Sequence, residues 1–181
     1  NSEMRLSTSL YGSVMQFGID GAKITTEDID DPILTTGLQS SIIPDAGASA
    51  YLYTDDYFVG LSLAQLTHSR IKYKQTTTAA EGRLTGHYFL MGGYNYQLNN
   101  DIVLQPSVLF KFVSPVPIQA EISARATYKD KVSAALSYRT ADALSLTLAY
   151  THDNYLSLGY SYDILISNLG KYSSGSHEVM L

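Results

Sequence analysis

The sequence predicts an all-β chain, and within that class an antiparallel up-and-down transmembrane β-barrel. Three observations carry this expectation. Apolar and polar residues alternate with period two along most of the chain, as in strands with two unlike faces. The connections between these runs are alternately tight and long. Tyrosine, at 15 residues against 5 Phe, gathers at the ends of runs whose middles are Leu, Val, Ile and Ala.

About ten strands are expected, a number within the range of such barrels. Residues 4–19, 45–54, 57–66 and 86–98 alternate loosely. Residues 102–113 set Leu104, Val108, Phe110 and Phe112 against Gln105, Ser107 and Lys111. Residues 119–128 alternate strictly, with Ala120, Ile122, Ala124, Ala126 and Tyr128 on one face. Gln119, Glu121, Ser123, Arg125 and Thr127 occupy the other. Residues 132–139 place Val132, Ala134, Leu136 and Tyr138 opposite Ser133, Ser137 and Arg139. Leu144, Leu146, Leu148 and Tyr150 oppose Ser145, Thr147 and Thr151, and Leu156, Leu158, Tyr160 and Tyr162 oppose Ser157, Gly159 and Ser161. Residues 177–181 begin a last strand. From residue 102 to Tyr162 the apolar faces carry no charge.

The long connections are 20–44, 67–83 and 163–176. Thr54-Asp-Asp56, Asn99-Asn-Asp101, Lys129-Asp-Lys131 and His152-Asp-Asn154 are tight, and they form every second connection. Ser114-Pro-Val-Pro117 and Ala141-Asp142 are short members of the set that holds the long loops. Alternate turns of a meander lie at opposite ends, so one rim is tight and the other looped, as in outer-membrane barrels. On the apolar face, Tyr138, Tyr160 and Tyr162 are expected at the long-loop rim. Tyr128 and Tyr150, with Tyr51 or Tyr53, Tyr57, Tyr94 and Tyr96, are expected at the tight rim. Two aromatic girdles around an aliphatic band suit a lipid bilayer as the surrounding partner.

Composition narrows the function. The length of 181 residues suits a single domain, 1–181. Charged residues make up 16%, below the roughly 25% of soluble domains, so part of the surface is not built for water. Nowhere do enough apolar residues run together for a transmembrane helix. A net charge of −5 without a Lys/Arg cluster argues against nucleic acid. The absence of Cys removes disulfides, thiol catalysis and Cys-based zinc sites. The chain opens at Asn1 without an initiator Met or signal peptide, which reads as a mature or truncated fragment.

Chemistry-bearing residues are few. Lys111, Glu121, Arg125 and Arg139 fall on the polar face, which faces the lumen of a barrel. They either line a charged channel, grip a plug or partner, or pair with one another. Pairing is the favoured expectation, because Glu121 and Arg125 share a strand and Arg139 lies on its neighbour. His68, His87, His152 and His177 are dispersed, with no metal-binding spacing. No Ser sits in a Gly-x-Ser-x-Gly elbow. Glu27, Asp28, Asp30 and Asp31 cluster, but a calcium loop opening at Asp28 would need Gly and Glu where Ile33 and Gln39 stand. The segment 72–83, rich in Thr and Ala, reads as a mobile extracellular loop, and Gly92-Gly93 as a bend or close approach within a strand. No catalytic residue, cofactor or metal is expected.

Several segments resemble the PorP/SprF family of type IX secretion outer-membrane proteins. Tyr160-Ser-Tyr-Asp163, followed by Ser167-Asn-Leu-Gly-Lys-Tyr-Ser-Ser-Gly-Ser-His-Glu-Val-Met-Leu181, is similar to the family's closing strands and Ser-rich loop. Asp30-Asp-Pro32, the run 44–53 and Tyr57-Phe-Val-Gly-Leu-Ser62 resemble its central hairpin, and Gln105-Pro-Ser-Val-Leu-Phe-Lys111 another strand. The resemblance implies a larger barrel of about 14 strands, with more strands upstream. It also implies an accessory role in export or surface attachment of large adhesin-like proteins, in some species linked to gliding. Its partners would then be such an adhesin and other type IX components, with Ser167, Asn168, Lys171 and Tyr172 as a partner-contact loop. The alternatives are a passive or substrate-specific pore, and a barrel that serves only as a structural or adhesive surface.

Overall fold

The computed structural model describes residues 3–20, 38–71, 82–153 and 155–181. It is almost entirely β. The strands are β1 (Arg5–Asp20), β2 (Leu38–Tyr53), β3 (Tyr57–Ala64), β4 (Arg70–Ile71), β5 (Gly82–Arg83), β6 (His87–Tyr94), β7 (Tyr96–Gln97), β8 (Ile102–Val113), β9 (Val116–Tyr128), β10 (Val132–Arg139), β11 (Ala143–His152), β12 (Leu156–Leu165) and β13 (Ser176–Met180). The main sheet has the order β1-β2-β3-β6-β8-β9-β10-β11-β12-β13, with β7 also paired to β8. Each strand neighbours the next long strand in sequence, which is a meander. Among the described residues no helix is long and apolar enough to cross a membrane.

The strands run through two compact units. The first comprises Asn1–Thr8, Ala50–Leu61 and Tyr88–Leu181, the second Ser9–Ser49 and Ser62–His87. In the first unit the tight turns are built by short polar side chains. Thr54 Oγ1 accepts the amides of Asp56 and Tyr57 at 3.2 and 3.1 Å. Asn99 Oδ1 accepts those of Asp101 and Ile102, both at 2.9 Å. Lys129 and Asp130 take φ 50° and 56°, the positive pair of a type I′ turn whose twist matches the flanking strands. Neighbouring turns are joined laterally: Asn95 N donates to Asp56 O at 2.6 Å, Lys129 N to Asp101 O at 2.7 Å, and Thr151 N to Lys131 O at 2.7 Å. These tight turns therefore share one rim of the sheet.

In the second unit Ile43 and Leu84 are buried, as are Ser41 and Asp45. Thr67 Oγ1 donates to Asp45 Oδ1 at 3.2 Å. Arg70–Ile71 and Gly82–Arg83 pair antiparallel as a separate two-stranded sheet.

Several expected boundaries move. The connection expected at 20–44 is shorter, because β2 already begins at Leu38 and passes through Pro44. Proline lacks the ladder N–H and so reads as a strand boundary, but Pro44 lies within β2, where its carbonyl accepts the hydroxyls of Thr67 and Ser69 at 3.1 and 3.2 Å. The expected run 86–98 is interrupted at Asn95, whose side chain donates to Asp55 O at 3.0 Å and accepts Gln105 Nε2 at 2.7 Å. The Ser114–Pro117 turn narrows to Ser114-Pro115, a cis peptide. The last long connection is 166–175 rather than 163–176, since β12 extends to Leu165 and β13 starts at Ser176. The expected loop 72–83 ends in strand at Gly82–Arg83. Its residues 72–81, and the acidic cluster Glu27, Asp28, Asp30 and Asp31, lie outside the described residues.

One aromatic assignment is corrected. The rings of Tyr51 and Tyr53 meet at 5.3 Å, tilted by 32°, and Tyr51 meets Phe58 at 5.8 Å. These rings pack on the sheltered face of the sheet, beside buried Gly60, while Val59 and Leu61 are exposed. Gly60 and Gly93 make the space: a Cβ at Gly93 would lie 2.5 Å from Phe58 Cζ and 2.9 Å from the Pro106 carbonyl. Close approach is thus the reason for Gly93 in a strand.

Candidate functional site

The site is built by register. In β8 to β13 the polar residues fall in rows across the sheet, because each antiparallel pair places same-face residues opposite one another. Ser107, Ser123, Ser137 and Ser145 are successive cross-strand partners, and Ser145 pairs with Asp163. The row beside it runs Gln105, Arg125, Ala135, Thr147, Ser161 and Glu178. Hydroxyls bond along these rows, Ser123 to Ser137 at 2.6 Å and Thr147 to Ser161 at 2.9 Å, and between them, Ser145 to Ser161 at 3.1 Å. Small side chains leave a polar groove of about 290 Å³ over this face, lined also by Glu121, Arg139 and Met180.

One side of the groove is closed by an ion cluster. Arg139 Nε meets Glu121 Oε2 at 2.9 Å, and its Nη1 meets Asp142 Oδ2 at 3.2 Å and Asp163 Oδ2 at 3.4 Å. Gln119 Nε2 also donates to Asp142 Oδ2, at 3.3 Å. The side chains are 15 to 29% exposed, so screening by water is partial. One guanidinium faces three carboxylates, and its planar fork allows it to hold them together.

The sequence-predicted residues fare unequally here. Glu121 and Arg139 come together, as pairing across the neighbouring strand requires. Arg125 does not join them, because a residue four positions along a strand from Glu121 lies two rows away. Its register partners are Gln105 and Ala135. Lys111 lies opposite Gln119. Among the described residues neither Lys111 nor Arg125 forms an ion pair. Asp142 and Asp163 belong to the cluster and were missed. The signal was present: Asp163 follows Ser157, Gly159 and Ser161 on the polar face of β12, and Asp142 stands three residues beyond Arg139 across a turn.

The apolar face is the reverse of a soluble core. Ile122 and Leu136 are 62% and 60% exposed, while their neighbours Ser123 and Ser137 are half-buried. Leu146, Leu148 and Leu158 are likewise exposed, and Tyr128, Tyr138, Tyr150 and Tyr160 stand on the same face. Each end of this face also carries a Tyr–His contact. Tyr160 Oη and His177 Nδ1 are 2.6 Å apart, and Tyr150 Oη and His152 Nδ1 are 3.4 Å apart.

The predicted partner-contact residues sit in the connection 166–175. Asn168–Lys171 form a 3₁₀ turn, closed by Gly170 N donating to Ser167 O at 2.9 Å. Tyr172 is 90% exposed. Ser167 Oγ is buried without a hydrogen-bond partner among the described residues. His68, His87, His152 and His177 remain dispersed, and no group of potential metal ligands assembles among the described residues.

Comparison with known families matches the whole chain, residues 1–181, to the type IX secretion system membrane protein PorP/SprF. No curated protein and no solved structure matches it.

Proposed function

Because the chain belongs to the PorP/SprF family of type IX secretion system membrane proteins, we propose that it is an outer-membrane β-barrel accessory of type IX secretion. In this reading it supports export or surface attachment of large adhesin-like proteins. The sheet forms part of a closed barrel, its polar face toward the lumen and its apolar face toward lipid. The tight turns are periplasmic and the long connections extracellular.

The observation that supports the membrane placement is the reversal of exposure, with Ile122 and Leu136 outside and Ser123 and Ser137 sheltered. A soluble sandwich buries its alternating apolar face. An apolar face of this extent is removed from water by lipid or by protein, and Tyr at both ends suits headgroup depth. The secretion role rests on the family.

A second reading, a passive or substrate-specific pore, draws on Arg125 and Lys111, which form no ion pair among the described residues on the polar face. Gene deletion separates the two. The accessory role predicts one or a few large surface proteins left unexported, with small-solute uptake unchanged. Intact secretion, a solute-uptake defect and clear conductance in planar bilayers would establish the pore instead.

A further inference from the structure

We infer that Arg139 is a positioning residue for the connection 166–175, fastening its root to the polar face of the sheet. The connection leaves β12 at Leu165. Its first two amides, those of Ile166 and Ser167, both donate to the Asp142 carbonyl, at 2.8 and 3.2 Å. Asp142 therefore carries the root of the loop on its backbone. Its side chain is in turn held by Arg139 Nη1 at 3.2 Å. The same nitrogen reaches Asp163, at 3.4 Å, near the end of β12, while Nε grips Glu121 on β9 at 2.9 Å.

One guanidinium thus sets three pieces of chain relative to one another: β9, the turn after β10, and the end of β12. The turn has little stiffness of its own. Ala141 is held at φ 55°, a costly conformation for a residue with a Cβ. The turn's own bond, Asp142 N to Arg139 O, is 3.3 Å. Beyond the root, the 3₁₀ turn ends at exposed Lys171, followed by exposed Tyr172. That these residues meet an exported protein rests on the reading above; that Arg139 fixes their position does not.

Lys171 supplies the readout, since trypsin cleaves after lysine and cleavage of a transiently opened loop tracks the population of the open form. The experiment uses the intact protein in detergent and follows release of the fragment beyond Lys171 by mass. Arg139→Gln is expected to accelerate this cleavage about ten-fold, the ratio of one lost charge-assisted hydrogen bond. Heat-modifiable migration reports that the barrel is still folded. Arg139→Lys should fall between, because a point charge recovers part of the pairing without the fork. Arg125→Gln, on the same face but outside the cluster, should cleave at the wild-type rate. If Arg139→Gln does not fold, Asp142→Asn removes one arm of the cluster, keeps the backbone carbonyl, and should accelerate cleavage several-fold. Wild-type cleavage in whichever of the two folds, or an equal acceleration in Arg125→Gln, overturns the inference. Faster cleavage with client export unchanged upholds the positioning role and overturns the loop's part in client contact.

Discussion

The two faces of strands β9 to β11 differ sharply in exposure and in chemistry. Adjacent residues share a backbone and a register, yet Leu136 is 60% exposed while Ser137 is half-buried and belongs to a hydroxyl row. On the apolar side, neighbouring side chains are interchangeable in chemistry, and what matters is what surrounds them. On the polar side several residues have named partners: Ser123 with Ser137, Glu121 with Arg139, and Thr147 with Ser161. The lesson is that one face is specified by its solvent and the other by pairwise contacts, so the two should respond to substitution in different ways.

The largest expected effect breaks the apolar face. Leu136→Arg should destabilise the bilayer-inserted protein by about 2–4 kcal/mol, the range for Arg at a lipid-facing midplane position, whereas Ser137→Arg should cost far less. Reversible denaturation from lipid vesicles measures both. Ala124→Arg and Ser123→Arg form a second pair with the same expected ordering. Next is the polar face. Arg139→Gln leaves three carboxylates without their cation, and should cost about 1–3 kcal/mol, below the 3–5 of a fully buried pair because water reaches the cluster. Arg125→Gln, lacking such partners, should be near neutral in the same assay.

A smaller effect is expected where the sheltered face is packed rather than paired. Gly93→Ala would drive a methyl into the Phe58 ring and should cost about 1–2 kcal/mol. Phe58→Leu in the same chain should recover part of the loss, a coupling measurable by a double-mutant cycle. The smallest is a gain. Replacing Lys129-Asp130 by Asn-Gly puts residues suited to positive φ into the type I′ turn, and should raise stability by about 0.5–1 kcal/mol.

Much of this was legible in the sequence, and what was not has identifiable causes. β8 and β10 have the expected boundaries because their alternation is strict and Asn99 and Lys129-Asp130 punctuate them. The start of β2 was obscured by Pro44, which has no N–H for the ladder and so reads as a boundary, although the strand passes through it to Leu38. Tyr51 and Tyr53 were assigned to the wrong face because Ala50 and Leu52 are apolar too, leaving no contrast to fix the parity. The ion cluster was half visible. Glu121 and Arg139 follow from strand register, but Asp142 and Asp163 sat in segments read as turn and loop, where charge is ordinarily solvated.

The central claim is that the apolar face meets lipid. A chain without cysteine allows a direct measurement, with single cysteines introduced at successive residues and the protein reconstituted in vesicles. Probes at Ile122→Cys, Leu136→Cys and Leu146→Cys should be quenched by a lipid-borne quencher and shielded from a water-soluble one. Probes at Ser123→Cys, Ser137→Cys and Ser145→Cys should show the opposite. An alternating pattern in that phase is the predicted result; equal water accessibility of both sets, or the reversed phase, would contradict the account.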